Sequence, residues 1–423
     1  MDQIWVEGGK ALRGEVQISG SKNATLPIMT ASLLANGPVT LTNTPSLQDL
    51  HTMAAVLQIL GAKVSLGDHT ISIDPSGFSN AEIPYDVVRK MRASVYVLGP
   101  MLARLGQARV SLPGGCAIGP RPIDLHVKGL RELGADLQLR HGYIEGNAGK
   151  GLRGGEMWLE GPSGSSVGAT CNVMMAAVLA RGTTIIHAAA REPEVDDLAN
   201  FLNALGARIE GAATGTITIE GVDGLAGGNY RVAPDRIEAG TYMTAGAMTG
   251  GDVRVTDCRP DHLGAVIEKL AEVGADVTVE DRSIRVRGGN LDHPIAIRTL
   301  PYPGFPTDMQ AQFTSMLSVV PGASAVTETI YPDRFIHVAE LNRMGAKISA
   351  TSGTATIIGA KSLSAAPVMA SDLRASAALI LAGLIAKGQT RVLRVYHIDR
   401  GYEAIEKKLS ALGATIERVG PAY

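Results

Sequence analysis

The chain alternates between two kinds of helical stretch. One kind is apolar on every side: ATLPIMTASLLA, ASVYVLGPMLARL, ATCNVMMAAVLA, AGTYMTAGAMT, MQAQFTSMLSVV and RASAALILAGLIA. A helix apolar all round belongs in a core. The other kind is amphipathic, as in IDLHVKGLRELG and DDLANFLNALG, and predicts an exposed helix. Six stretches of this second kind close on an apolar residue followed by Gly-Ala. The glycines are Gly61, Gly134, Gly206, Gly274, Gly345 and Gly413, separated by 73, 72, 68, 71 and 68 residues. Glycine in that place predicts a left-handed C-cap. A β-rich segment follows each mark, and a short strand (PVTLTN, ARVSLP, TTIIHA, DVRVTD, SAVTET, TRVLRV) follows each apolar helix.

So regular a spacing is an internal repeat. Each unit reads as a buried helix, a strand, a loop, an exposed helix and then strands, an α/β (α+β) pattern close to βαβαββ. Six units divide into two domains of three, 22–233 and 1–21 with 234–423. The N-terminal WVEGGKALRGEVQISG resembles the half-unit that precedes each buried helix. It is expected to complete the second domain, whose last helix is expected to have no strands of its own after it. A solenoid fits less well, because solenoid repeats are shorter and lack such apolar central helices.

Composition narrows the function. A formal charge of −2 and 4% aromatic residues give neither the basic field nor the stacking platforms of a nucleic-acid binder. The longest apolar run, Ala375 to Ala386, is too short to span a bilayer, and MDQIWVEGG carries no secretory signal pattern. No membrane partner is expected. Cys116, Cys171 and Cys258 have no CxxC spacing, which disfavours a disulfide framework or a zinc site and fits a reducing cytoplasm.

Candidate chemistry gathers at two places in each repeat. The starts of the buried helices carry polar groups, among them Lys22, Asn23, Arg92, Ser166, Asp308, Asp372 and Arg374. Free N–H groups at helix starts favour anions, and clustered cations add to this. Ser21, Thr307 and Asp372 also suit ordinary capping. The strand-to-helix loops carry Arg121, Arg191, Arg334 and Arg400 at like positions. Such arginines suit a compact, multiply charged substrate. The loop LPGGCAIGPRPIDLH, Leu112 to His126, is longer than its counterparts and holds Cys116. A thiol on a glycine-rich loop beside a cation is a candidate reactive group, while a buried cysteine in a turn is the plainer alternative.

These segments resemble the UDP-N-acetylglucosamine enolpyruvyl transferases and, less closely, the enolpyruvyl-shikimate-phosphate synthases. The resemblance runs over essentially the whole chain. It rests on SGSKNATLP, MRASVYVLGP, LPGGCAIGPRPIDLH, SVGAT, REPEV, PDRIEAGTY, YPGFPTDMQ, YPDRFIHVAELNRMGA, SDLRASAALILAG and HIDRGYEAIEKKLSALGA. It implies two inside-out α/β barrel domains of three repeats each. It also implies transfer of the enolpyruvyl group of phosphoenolpyruvate to the 3′-hydroxyl of UDP-N-acetylglucosamine with release of phosphate, the first committed step of peptidoglycan synthesis. Cys116 would then be the proton donor to phosphoenolpyruvate, able to form a covalent adduct and be alkylated by fosfomycin, and Asp308 the base. Lys22, Asn23, Arg121 and Arg400 would hold phosphoenolpyruvate. Asn23, Arg92, Arg121, Pro122, Ile123, Asp124, Leu125, Ser166, Val167, Gly168, Asp308 and Ile330 would hold the sugar nucleotide. Arg334, Asp372 and Arg374 would complete the charged site.

The chain departs from the family in one run. Where many members have lysine-valine-serine-valine-glycine, it has Gly164-Ser165-Ser166-Val167-Gly168, leaving Arg121 or Arg92 to supply the cation. Two other readings remain open at this level: the shikimate-phosphate branch, and a catalytically silent relative that only binds a UDP-sugar.

Overall fold

All six amphipathic helices end in one hydrogen-bonded motif. They are Gln48–Ile59, Asp124–Glu132, Pro193–Ala204, Gly264–Glu272, His337–Arg343 and Ile405–Ala411. The glycine after each has φ between +91° and +109°. The alanine after that glycine donates its N–H to a leucine carbonyl in the last turn: Ala62 to Leu57, Ala135 to Leu130, Ala207 to Leu202, Ala275 to Leu270, Ala346 to Leu341 and Ala414 to Leu409, all at 2.9–3.1 Å. This is the Schellman closure, in which only glycine takes the left-handed position without strain. The Gly-Ala marks are therefore stop signals with a physical cause.

The structure is a computed structural model describing residues 2–88, 91–112 and 123–420, with the backbone alone for Arg92. The described residues form two units, one from residues 20–233 and one from residues 2–19 and 234–420. Each unit has its own hydrophobic core.

In the 20–233 unit, three four-stranded sheets repeat one pattern: a strand pairs in parallel with a second, which pairs antiparallel with a hairpin. The first sheet runs Gly228–Arg231, Val39–Thr42, Thr70–Asp74, Lys63–Gly67. The second runs Glu82–Ile83, Gln107–Ser111, Tyr143–Asn147, Asp136–Arg140. The third runs Glu156–Trp158, Thr183–His187, Thr216–Glu220, Arg208–Glu210. Inside the unit lie the apolar helices, with Ala169 to Ala177 all buried in Val167–Ala177. Helices at the centre and sheets around them make an inside-out α/β arrangement.

The other unit follows the same plan with help from the N-terminus. Arg13–Gln17 pairs in parallel with Asp252–Thr256, which pairs with Ser283–Arg287 and then Asp276–Val279. Ala296–Arg298, Ala323–Thr327, Thr354–Ile358 and Lys347–Thr351 form the next sheet. In the last sheet Gln3–Glu7 lies between Gln389–Leu393 and Thr415–Val419, antiparallel to both. The final helix thus does have a strand of its own after it, contrary to expectation. Only the other hairpin strand is borrowed from the N-terminus.

Other boundaries also differ from the sequence reading. Gly20 and Ser21 belong with the 20–233 unit: the Ser21 N–H donates to the Ala233 carbonyl at 2.8 Å, and Gly20 sits so close to Asn43 that a Cβ would lie 1.6 Å from its carbonyl oxygen. On the other side of this crossing, Ser19 is fastened by Glu238. That buried carboxylate accepts the Ser19 N–H at 2.8 Å and Lys408 Nζ at 2.7 Å. The stretch ASVYVLGPMLARL is a 3-10 helix, Arg92–Val97, running into an α-helix, Leu98–Leu105.

The helix Leu98–Leu105 packs on Val167–Ala177 through Gly99. A Cβ at residue 99 would lie 2.4 Å from the Asn172 carbonyl oxygen and 2.7 Å from its Oδ1. Gly99→Ala is therefore expected to destabilise the protein by about 1–3 kcal/mol through overpacking. The midpoint of urea denaturation checks this, and an unchanged midpoint would contradict the close approach.

Candidate functional site

In the 20–233 unit, buried helix starts set out the polar groups. Ser21 caps the helix Lys22–Ala31, its Oγ accepting the Ala24 N–H. This places Lys22 at the first position, where its Nζ lies 3.6 Å from Asp49 Oδ2. Asp49 sits in the first turn of Gln48–Ile59 and is buried. The ammonium is thus tethered to a second element and held away from bulk water. Asn23 follows it on the same helix.

Ser166 caps Val167–Ala177 by accepting the Ala169 N–H at 3.2 Å. The start of Asp124–Glu132 is locked beside it by a buried amide. The Gly99 N–H donates to Asn172 Oδ1, so Asn172 Nδ2 must face Val95 O (2.8 Å) and His126 Nδ1 (3.0 Å). Since Nδ2 donates, His126 Nδ1 accepts and the imidazole carries its proton on Nε2. A Cβ on Gly168 would lie 2.9 Å from that nitrogen, so glycine is what lets the ring in. Asp124 and Leu125 on one helix are in this way brought next to Ser166, Val167 and Gly168 on another. Asn172 and His126 are additions to the sequence reading. The one amide in the apolar run ATCNVMMAAVLA was the available signal for Asn172.

Cys116, Arg121 and Pro122 lie outside the described residues, as does the side chain of Arg92. Ile123 is described and sits just before the helix Asp124–Glu132. Arg191 is exposed, and its Nε donates to the Ala213 carbonyl at 3.2 Å, which makes it a surface loop brace.

In the other unit, Asp308 is the centre of charge. Its Oδ1 lies 2.8 Å from Arg334 Nη1 and its Oδ2 lies 2.8 Å from Arg374 Nη2. Both arginines are buried. A carboxylate between two guanidinium groups stays ionised. Burial works against the Arg374 charge, but Asp308, Tyr402 and Asp235 together outweigh it, so the pKa of Arg374 rises above its ordinary value. The Arg374 guanidinium carbon also lies 5.4 Å from the centre of the Tyr402 ring. Beneath them Gln312 Nε2 donates to the Asp308 carbonyl (3.0 Å), to Thr241 Oγ1 (3.1 Å) and to the Tyr402 hydroxyl (3.1 Å).

Asp372 caps Leu373–Ile385, accepting the N–H groups of Arg374 (2.9 Å) and Ala375 (3.0 Å). That places Arg374 in the first turn. Thr307 is not a cap, contrary to the sequence reading. Its segment is a 3-10 turn, Thr307–Met309, leading into Gln310–Leu317, and its hydroxyl donates to Glu328 instead. Arg400 ends the 3-10 helix Val395–Arg400 and is half-buried. Its neighbour Asp399 is pinned by Arg418, which also bonds Glu406 at 3.2 Å. His337 is buried, and burial, with the Arg334 charge adding to it, pushes its pKa down to about 4, so it is neutral at pH 7. Ile330 is half-buried in the loop after Ala323–Thr327.

The fold itself recurs in solved proteins. The enolpyruvyl transferase NikO from Streptomyces tendae superposes with a TM-score of 0.89 over 99% of both chains, at 24% identity. An EPSP synthase from Acinetobacter baumannii does so with a TM-score of 0.76 over the full length of both, at 20% identity. At such identities the likeness is one of fold. Residues 6–409 match the family described as EPSP synthase (3-phosphoshikimate 1-carboxyvinyltransferase). A UDP-N-acetylglucosamine 1-carboxyvinyltransferase of Desulfatibacillum aliphaticivorans is 57% identical over 99% of this chain and all of its own. The chain belongs to the UDP-N-acetylglucosamine 1-carboxyvinyltransferase family. A second member, from Desulfosudis oleivorans, is 55% identical across the whole of both chains. As a member of this family the chain is an enzyme, a transferase acting on small-molecule substrates. No helix among the described residues is long and apolar enough to cross a membrane.

The pairing of Asp308 with buried Arg374 carries an expectation for stability. Asp308→Ala leaves that guanidinium, 2% exposed, without its counter-charge. The loss is expected to be roughly 3–5 kcal/mol. Adding Arg374→Met should recover part of it. Urea denaturation of both variants checks the pair, and a double variant less stable than Asp308→Ala would contradict it.

Proposed function

We propose that this chain transfers the enolpyruvyl group of phosphoenolpyruvate to the 3′-hydroxyl of UDP-N-acetylglucosamine and releases inorganic phosphate. What carries the reading is the full-length identity with relatives of that name together with Lys22, Cys116, Asp308 and Arg400 in the matching motifs. The reaction is an addition followed by an elimination. The acceptor hydroxyl gives its proton to Asp308 as its oxygen bonds to C2 of phosphoenolpyruvate, while C3 takes a proton from Cys116. The Cys116 thiolate then takes a proton back from C3, the C2–C3 double bond re-forms as the bond from C2 to the phosphate oxygen breaks, and phosphate leaves with the proton held by Asp308.

Each role has a physical basis. Phosphoenolpyruvate is a compact anion, and Lys22, Arg121 and Arg400 neutralise its phosphate and carboxylate with Asn23 beside them. A carboxylate flanked by two arginines is a weak base. It can accept the proton because an oxygen bonding to an oxocarbenium-like carbon becomes strongly acidic. Arg334 and Arg374 then orient Asp308, and Asp372 orients Arg374 through the helix cap. The sugar nucleotide is held by Asn23, Arg92, Ile330 and Asp308, by the run Arg121, Pro122, Ile123, Asp124 and Leu125, and by Ser166, Val167 and Gly168 at a helix start that favours a diphosphate. This places the chain in the cytoplasm at the first committed step of peptidoglycan synthesis, with no nucleic-acid or membrane partner and no cofactor.

A phosphate-release assay distinguishes the readings. Release is expected with phosphoenolpyruvate plus UDP-N-acetylglucosamine and not with shikimate 3-phosphate. Release with shikimate 3-phosphate alone would move the chain to the other branch, and none with either acceptor would leave a binding protein.

The thiols supply a second test. Cys171 and Cys258 are both buried, and burial pushes the Cys258 thiol up to about 11 and that of Cys171 higher still. Thiolate is the reactive form, so neither should react at pH 7. An epoxide such as fosfomycin is expected to label Cys116 alone, read by mass spectrometry. Labelling at Cys171 or Cys258 would contradict the assignment.

A further inference from the structure

Glu328 is buried at the end of the strand Ala323–Thr327, and its four recorded donors are uncharged. Its Oε1 accepts the Thr299 hydroxyl at 2.7 Å, the Ile330 N–H at 2.8 Å and the Tyr331 N–H at 3.0 Å. Its Oε2 accepts the Thr307 hydroxyl at 2.8 Å. Thr307 is thereby fixed in direction. Its proton is committed to Glu328, so its lone pairs face Arg334, whose Nη1 donates to it at 3.0 Å. The same Nη1 lies 2.8 Å from Asp308 Oδ1. A guanidinium can only donate, so this chain of bonds runs one way, from Arg334 through Thr307 to Glu328.

We propose that Glu328 is a positioning residue for the acceptor end of the reaction, setting the Ile330 loop through two backbone N–H groups and the Arg334–Asp308 pair through Thr307. The inference rests on the proposed reading, in which Asp308 and Ile330 meet the sugar nucleotide. Glu328 itself touches no substrate. It ends the chain of bonds as an acceptor with two oxygens, and only a carboxylate supplies both. An amide in its place keeps one acceptor and turns a donor to the other side. If the amide oxygen stays with Ile330 and Tyr331, the NH₂ faces Thr307. The Thr307 hydroxyl must then reverse, and its proton meets Arg334.

The relay predicts a split among kinetic constants that general loss of structure would not give. Glu328→Gln is expected to lower kcat roughly tenfold to a hundredfold and to raise KM for UDP-N-acetylglucosamine. KM for phosphoenolpyruvate should stay within about twofold, because Lys22 and Arg400 lie on other elements. Thr307→Val should lower kcat likewise while leaving the Ile330 loop bonds of Glu328 in place, so KM for the sugar nucleotide should change less. Thr307→Ser, which keeps the hydroxyl, should restore most of the kcat lost in Thr307→Val. Steady-state kinetics and circular dichroism are measured for the unaltered protein and the three variants together. Wild-type kinetics in both Glu328→Gln and Thr307→Val would overturn the proposal. So would equal losses in every constant with no rescue by serine. If Glu328→Gln does not fold, the two Thr307 variants decide alone. An unaltered protein silent with both substrates would instead condemn the reading of function.

Discussion

A helix buried on all sides leaves its first N–H groups as a place where polar chemistry must be tolerated. Those groups need acceptors even in a core. Ser21, Ser166, Asp235 and Asp372 supply them in four of the apolar helices. Once a cap is present, the next positions sit at the rim of the core with favourable potential for anions. Lys22, Val167, Gly168 and Arg374 occupy such positions. The demand that the core helices be capped therefore decides where Lys22 and Arg374 lie.

Much of this was legible in the sequence, because it is local. A Gly-Ala stop needs only a few neighbouring residues, and the Leu57–Ala62 bond and its five counterparts stay within one turn of their glycines. All-round apolarity also shows in the residues themselves. What the sequence hid depends on partners far along the chain. Thr307 looks like a cap because threonine often is one, yet Glu328 takes its proton across a gap of 21 residues. Glu328 in turn looks like an ordinary acid at a strand end, and while the Ile330 and Tyr331 N–H groups are local, nothing nearby reveals the Thr299 and Thr307 hydroxyls. The tautomer of His126 is hidden for the same reason, since it depends on Asn172 and, through it, on the Gly99 N–H.

The two units use one plan for different electrostatic ends. Near residue 22 a cation is tethered to a carboxylate on a neighbouring helix at 3.6 Å. At Asp308 the carboxylate is the shared member, with a guanidinium on each oxygen at 2.8 Å. One arrangement presents positive charge, and the other fixes the direction of a negative one.

The borrowed N-terminal strands also set the order in which the chain can become complete during synthesis. The unit of residues 20–233 has its last strand, Gly228–Arg231, before most of the other unit has been made. The other unit waits for both ends. Gln3–Glu7 and Arg13–Gln17 leave the ribosome well before their partners Asp252–Thr256, Gln389–Leu393 and Thr415–Val419. Until then two strands carry unpaired backbone edges, a standing hazard for wrong pairing with other nascent chains. Their glutamates and arginine, Glu7, Arg13 and Glu15, are exposed in the finished fold, and charges of this kind also keep a waiting edge from being taken up by the wrong sheet.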